Sequence, residues 1–148
     1  MLAMATNVVS IPQSIRDFLA TGPLAHVATI NPDGRPHVSL AWAGLDGDEL
    51  VFATFADQHK MDNIRRDPRV VVSFHAREYT GQGLWPYVVI DGRARIVGGR
   101  ALETMDYLAQ FYIGPGSKYP MRDVPDGLNV RVTIDRIYGQ GPWHRTKT

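Results

Sequence analysis

The chain has 148 residues, 16 lysines and arginines against 15 aspartates and glutamates, and no cysteine. Its length suits a single domain over residues 1–148, and the missing thiols exclude disulfides, thiolate metal sites and a cysteine nucleophile. The balanced charge argues against a nucleic-acid partner, and no apolar run approaches the ~20 residues of a membrane-crossing helix.

In chain order, residues 1–9 read as a loose end. No basic stretch leads into an apolar one there, so no secretory signal is expected and a cytoplasmic location is. Residues 10–19 predict a helix, with Ser10 as N-cap and Pro12 in its first turn; Ile11, Ile15, Phe18 and Leu19 make one apolar face. Segments 24–30 and 37–43 alternate apolar with small or polar residues around Asn31-Pro32-Asp33-Gly34, the pattern of a hairpin. A turn at Asp46-Gly47-Asp48 precedes a strand over 49–55. Asp57 is placed to cap a short helix through His59, Lys60, Met61, Asn63 and Ile64, which Asp67-Pro68 ends. Segment 70–75 is nearly all β-branched or aromatic and predicts a buried strand. A loop over 77–86, a strand over 87–97, a helix over 100–112, a Gly- and Pro-rich loop over 114–127 and a strand over 128–138 complete the pattern. Six strands with short turns and few helices predict a mainly antiparallel sheet, closed into a Greek-key barrel with flanking helices.

The segment 57–68 is the most informative for chemistry. It puts a helix N-terminus directly after a strand, where free N–H groups and the positive end of the helix dipole face outward. Lys60 in that first turn opposes the dipole unless an anion sits between it and the amides. A solvated helix with a stray lysine is the bland reading. Arg35, His37 and Ser39 share one face of the second strand, with Thr54 near the end of the third. Together they suit a polar, phosphorylated ligand, or simply the wet face of a hairpin. His26, His37, His59, His75 and His144 form no HxH or HExxH pair, and no GxSxG elbow is present, so neither a metal site nor a hydrolytic triad is expected. Trp42, Trp85, Tyr87 and Trp143 lie beside turns or chain ends, suited to packing or to contact with a flat ring or a partner subunit.

The run LAHVATINPDGRPHVS, the strand DELVFATFAD and the segment HKMDNIRRDPRVVVSF together resemble the split β-barrel flavin and deazaflavin oxidoreductases of the pyridoxamine 5′-phosphate oxidase-like family. The likeness extends from about Leu19 to the last strand. It implies a homodimer with the cofactor at the subunit interface. It also implies that Lys60 contacts the cofactor phosphate, with Thr54, Phe55, His59 and Asn63 around it. His37, Val38 and Ser39 lie along the ring system, Trp85, Pro86 and Tyr87 complete the pocket, and Trp143 reaches the partner. Members binding flavin mononucleotide (FMN) commonly carry an arginine shortly before the lysine. Gln58 and His59 stand there instead, which points to the deazaflavin coenzyme F420. The implied activity is hydride transfer between F420 and a small conjugated acceptor, with His75, Tyr79 or Tyr87 as proton donor. The alternatives are an FMN oxidoreductase and a non-catalytic carrier of the cofactor or of haem.

Overall fold

The computed structural model of the protein describes residues 9–78 and 85–143. Along them run α1 (Gln13–Leu19), β1 (Ala25–Ile30), β2 (Pro36–Ala41), β3 (Gly44–Asp46), β4 (Glu49–Thr54), α2 (His59–Arg66), β5 (Arg69–His75), β6 (Tyr87–Val97), α3 (Ala101–Tyr112) and β7 (Leu128–Gln140). The strands form one antiparallel sheet in the order β2-β1-β5-β6-β7-β4-β3.

The described strands number seven, not the expected six. The additional one is β3, which lies between the strand predicted over 37–43 and the turn predicted at Asp46-Gly47-Asp48; the chain leaves the sheet at Trp42 and Ala43 and re-enters it at Gly44. Tyr112, at the end of α3, supplies the reason. Its hydroxyl oxygen accepts the Ala43 N–H at 3.1 Å and lies within hydrogen-bonding reach of the Ala43 and Pro23 carbonyls. The Trp42 ring stacks on it, with centroids 5.1 Å apart and planes 9° from parallel. Backbone groups that would continue the β1 ladder are therefore taken by a side chain. Burial pushes the Tyr112 hydroxyl up to about 12, so it stays a neutral post at this joint. The two ends of the sheet, β2 and β3, are thus neighbours in sequence but share no ladder. The sheet curls round and stays split beside Trp42.

The core fills the inside of the curl. Val27, Phe52, Val72, Phe74, Ile90 and Val132 point inward, and Ile15 and Leu19 of α1 and Met61 and Ile64 of α2 cap them. The helix α1 begins at Gln13, with Pro12 rather than Ser10 at its cap; the Pro12 carbonyl accepts from Ile15 and Arg16. The strand β5, expected to be buried, is buried on one face only. It alternates, and Val71 is 38% exposed, because only one side meets the core. In β7, Asp91 pairs with Arg136 and Gly92 with Ile134, so Asp135 is an extra residue in a bulge. That bulge moves the inward set from Val130, Val132 and Ile134 to Ile137.

The outer face has two characters. Across β4, β6 and β7 it carries the pairs Arg95–Glu49, Arg131–Glu49, Arg93–Asp135 and Arg136–Asp91. Across β2 and β5 it carries exposed Val38, Leu40 and Val71.

Candidate functional site

Helix α2 is held onto β1 by Asn63. Its amide nitrogen donates to Thr29 Oγ1 at 3.0 Å and to Asn31 Oδ1 at 2.9 Å, and its oxygen accepts from Arg66 at 2.9 Å. Asn63 is fully buried, and these bonds occupy both ends of its amide. Arg66 also donates to the Ile30 carbonyl. His59 Nε2 meets Asn31 Oδ1 at 2.7 Å. An amide oxygen only accepts, so this contact puts the ring proton on Nε2.

The expected cap from Asp57 does not form. The N-cap position falls on Gln58, with no side-chain hydrogen bond, because Asp57 Oδ1 instead takes Arg65 at 3.0 Å. Among the described residues no acceptor takes the backbone N–H of His59 or Lys60. Arg65 is paired with Asp57 and Asp62, and Arg69 with Asp67. Lys60 has no such acid among the described residues. It is 3% exposed, and its Nζ lies 5.7 Å from the centroid of the Phe52 ring. Burial pulls its pKa below the usual lysine value.

A cleft of about 350 Å³ opens at the split in the sheet. Thr54, Gln58 and Lys60 line it together with Trp42, Phe55 and Tyr119. Thr54 is buried, and its hydroxyl donates to the Ala56 carbonyl at 2.8 Å. Gly127 lies against the same strand end at φ +69°, where a Cβ would stand 2.3 Å from the Thr54 carbonyl oxygen. The inward face of β2 carries His37, Ser39 and Ala41, the last of which lines the cleft. His37 Nδ1 and Ser39 Oγ are buried without a hydrogen-bond partner, and the His37 ring meets the His59 ring at 4.9 Å.

The structure therefore brings Thr54, Phe55 and Lys60 to one cleft, with His37, Ser39 and His59 close by in the fold. Val38 points the other way, 60% exposed on the outer face. Trp85, Pro86 and Tyr87 open β6, where Tyr87 pairs with His75, and none of them lines the cleft. The His75 ring faces His26 at 5.5 Å, and its Nδ1 meets the Ala76 carbonyl at 3.0 Å. Tyr79 and His144 lie outside the described residues. Trp143 packs on Phe18 of its own chain, centroids 4.8 Å apart, and is buried. Among the described residues no three His, Asp or Glu side chains converge as a metal site. Sequence reasoning missed Leu40, Met105 and Tyr119 as cleft residues. Tyr119 lies in an aperiodic loop, and Met105 reads as ordinary helix core.

The family model for pyridoxamine 5′-phosphate oxidase matches residues 11–141. The chain belongs to this family. A solved F420 reductase is 26% identical, with a TM-score of 0.70; the match covers 86% of this chain and 98% of that one. A conserved hypothetical protein from Mycobacterium tuberculosis is 24% identical at a TM-score of 0.69, covering 93% and 89%. A heme binding protein from Mycobacterium smegmatis is 22% identical at a TM-score of 0.65, covering 93% of this chain and 57% of that one. These last two likenesses speak to the fold alone. No curated protein matches the chain. The family fold thus places the cleft within a scaffold that takes flavin-type cofactors.

Proposed function

We propose that the protein is a coenzyme F420-dependent oxidoreductase that transfers a hydride between the deazaflavin and a small conjugated acceptor. The observation that carries this reading is Lys60, a buried cation that among the described residues has no acid partner, beside two backbone N–H groups that none of those residues accepts from. A buried charge without a partner is costly, so its presence calls for an anion that arrives with a ligand. His37 Nδ1 and Ser39 Oγ, buried and unpartnered, fit a ligand with further polar edges. The likeness to an F420 reductase, and glutamine and histidine in place of a second cationic clamp, favour the deazaflavin over FMN.

In this reading Lys60 and the His59 and Lys60 amides hold the anionic tail. Thr54 and Phe55 form the cleft wall beside it, and His37, Val38 and Ser39 border the ring. Asn63 sets the helix that presents Lys60. F420 in its reduced form supplies a hydride, so no side chain has to act as a nucleophile. The protein's part is to orient the acceptor and keep water out.

The active unit in this proposal is a homodimer, each chain a single domain, in which a partner packs on the apolar strip around Val38. Leu40 belongs both to that strip and to the rim of the cleft, so a body covering the strip also roofs the cleft. The roof would be where Trp85, Pro86 and Tyr87, which do not line the cleft within one chain, enter the site.

Mixing the protein separately with coenzyme F420, FMN and haem, and measuring each affinity, tests the reading. Tight binding of F420 with weaker FMN supports it. A yellow protein that releases FMN on heating, or binding of haem alone, overturns it.

A further inference from the structure

Part of the cleft is walled by aromatic rings from three separate connecting stretches of the chain. The Tyr119 ring meets Trp42 edge-on, centroids 5.7 Å apart at 83°, and meets Phe55 at 5.2 Å. Among the described residues Lys60 is the one charged residue lining the cleft, so the rest of that lining is neutral. Tyr119 comes from an irregular stretch between α3 and β7, yet its backbone is pinned at both polar groups. Its N–H donates to Asp106 Oδ1 at 2.9 Å, and its carbonyl accepts from Arg122 Nη1 at 3.1 Å. Arg122 in turn grips both oxygens of Asp106, at 2.6 and 3.2 Å. Arg122 and the Tyr119 amide hold the Asp106 carboxyl below its ordinary pKa, Arg122 contributing more. This carboxylate on α3 thus fixes a loop residue against Trp42.

We infer that Tyr119 is a specificity-determining residue of the cleft, forming with Trp42 and Phe55 a wall for a planar, uncharged ring. Asp106 is the positioning residue that keeps Tyr119 in that wall. The inference rests on the cleft being the ligand site proposed above, and it adds the substrate class: a flat apolar acceptor such as a quinone, rather than a phosphorylated one. Among the described residues an acceptor phosphate would find no free cation beside these rings, because Arg122 is already occupied by Asp106.

The test uses menadione, a planar quinone, titrated against the intact protein in the presence and absence of coenzyme F420. Tyr119→Ala is expected to weaken menadione binding roughly threefold to tenfold, the fold-change an aromatic contact corresponds to. Tyr119→Phe is expected to restore it, since the ring and not the hydroxyl forms the wall. Asp106→Asn is expected to weaken binding less than Asp106→Leu, because Asn keeps an acceptor for the Tyr119 N–H. In fluorotryptophan-labelled protein, the Trp42 resonance should move in Asp106→Asn toward its position in Tyr119→Ala. The Trp85 and Trp143 resonances should stay put, which a general loss of structure would not allow. Unchanged menadione affinity in a folded Tyr119→Ala protein overturns the wall. Failure of the unaltered protein to bind F420, with menadione binding still dependent on Tyr119, overturns the cofactor reading and leaves the wall standing.

Discussion

At Lys60 a positive charge is kept 3% exposed, with a phenylalanine ring as its nearest compensation. Burial lowers its pKa, so the unfolded chain holds the proton more tightly than the folded one. The resulting penalty is complete below the folded-state value and fades as pH rises toward the ordinary lysine value of 10.5. At neutral pH the lysine therefore destabilises the ligand-free protein. Lys60→Met is expected to raise stability by about 0.5–2 kcal/mol, the range for removing such a liability. Thermal unfolding with and without inorganic pyrophosphate checks this. The unaltered protein should melt higher with the anion, whereas Lys60→Met should melt higher without it and gain nothing on its addition. A Lys60→Met protein that melts lower in the absence of anion would mean the amine is already satisfied within the fold.

At the scale of elements, the site depends on where strands and helices stop. Gly127 sits at φ +69° with its Cα side against the Thr54 carbonyl, the Ala101 side chain and Phe55. Gly127→Ala combines a disfavoured backbone conformation with a collision against backbone atoms. It is expected to cost about 1–3 kcal/mol from the conformation alone, with a further loss as the end of β4 shifts. Urea unfolding measures it; a variant as stable as the parent would show that β4 can yield at no cost. Much of this layout is legible from the residues alone. The alternation around Asn31–Gly34 predicts the β1–β2 hairpin, with Gly34 at φ +86° in the turn, and the run from Asp57 to Pro68 predicts α2. The break at Trp42–Ala43 is not legible, because the group that causes it, Tyr112, lies about seventy residues further along. The capping role expected of Asp57 fails for a similar reason. Local spacing cannot show that Arg65, eight residues on, competes for the same carboxylate. Tyr119 escapes because its place in the cleft comes from Asp106 and Arg122, not from any periodic pattern.

For the whole molecule, two faces of one sheet have to serve different ends. The β4-β6-β7 face is laced by charges, and at its centre Arg95, followed by Arg131, holds the Glu49 carboxyl at about 2, against the opposing effect of burial. An ordinary glutamate titrates at 4.5, so the stabilisation from Glu49 is complete above that pH and is lost progressively as pH falls toward 2. Glu49→Gln should therefore flatten the acid side of the stability profile while changing its slope little above neutrality. An unaltered acid limb in that variant would mean the pair is screened by solvent. The β1-β2-β5 face instead exposes Val38 at 60% and Leu40 at 58% along an edge strand, a patch that invites a second copy. Val38→Glu is expected to turn the proposed dimer into a monomer in light scattering at micromolar protein, with little change in folding. A dimer that survives would place the interface elsewhere.

The most direct measurement of the central claim is a fluorescence titration of coenzyme F420 with the unaltered protein and with Lys60→Ala. Loss of a hydrogen bond to a charged group predicts that the variant binds about 1.5–3 kcal/mol more weakly. Equal affinities for the two proteins would contradict the claim that this buried amine grips the cofactor's anionic tail.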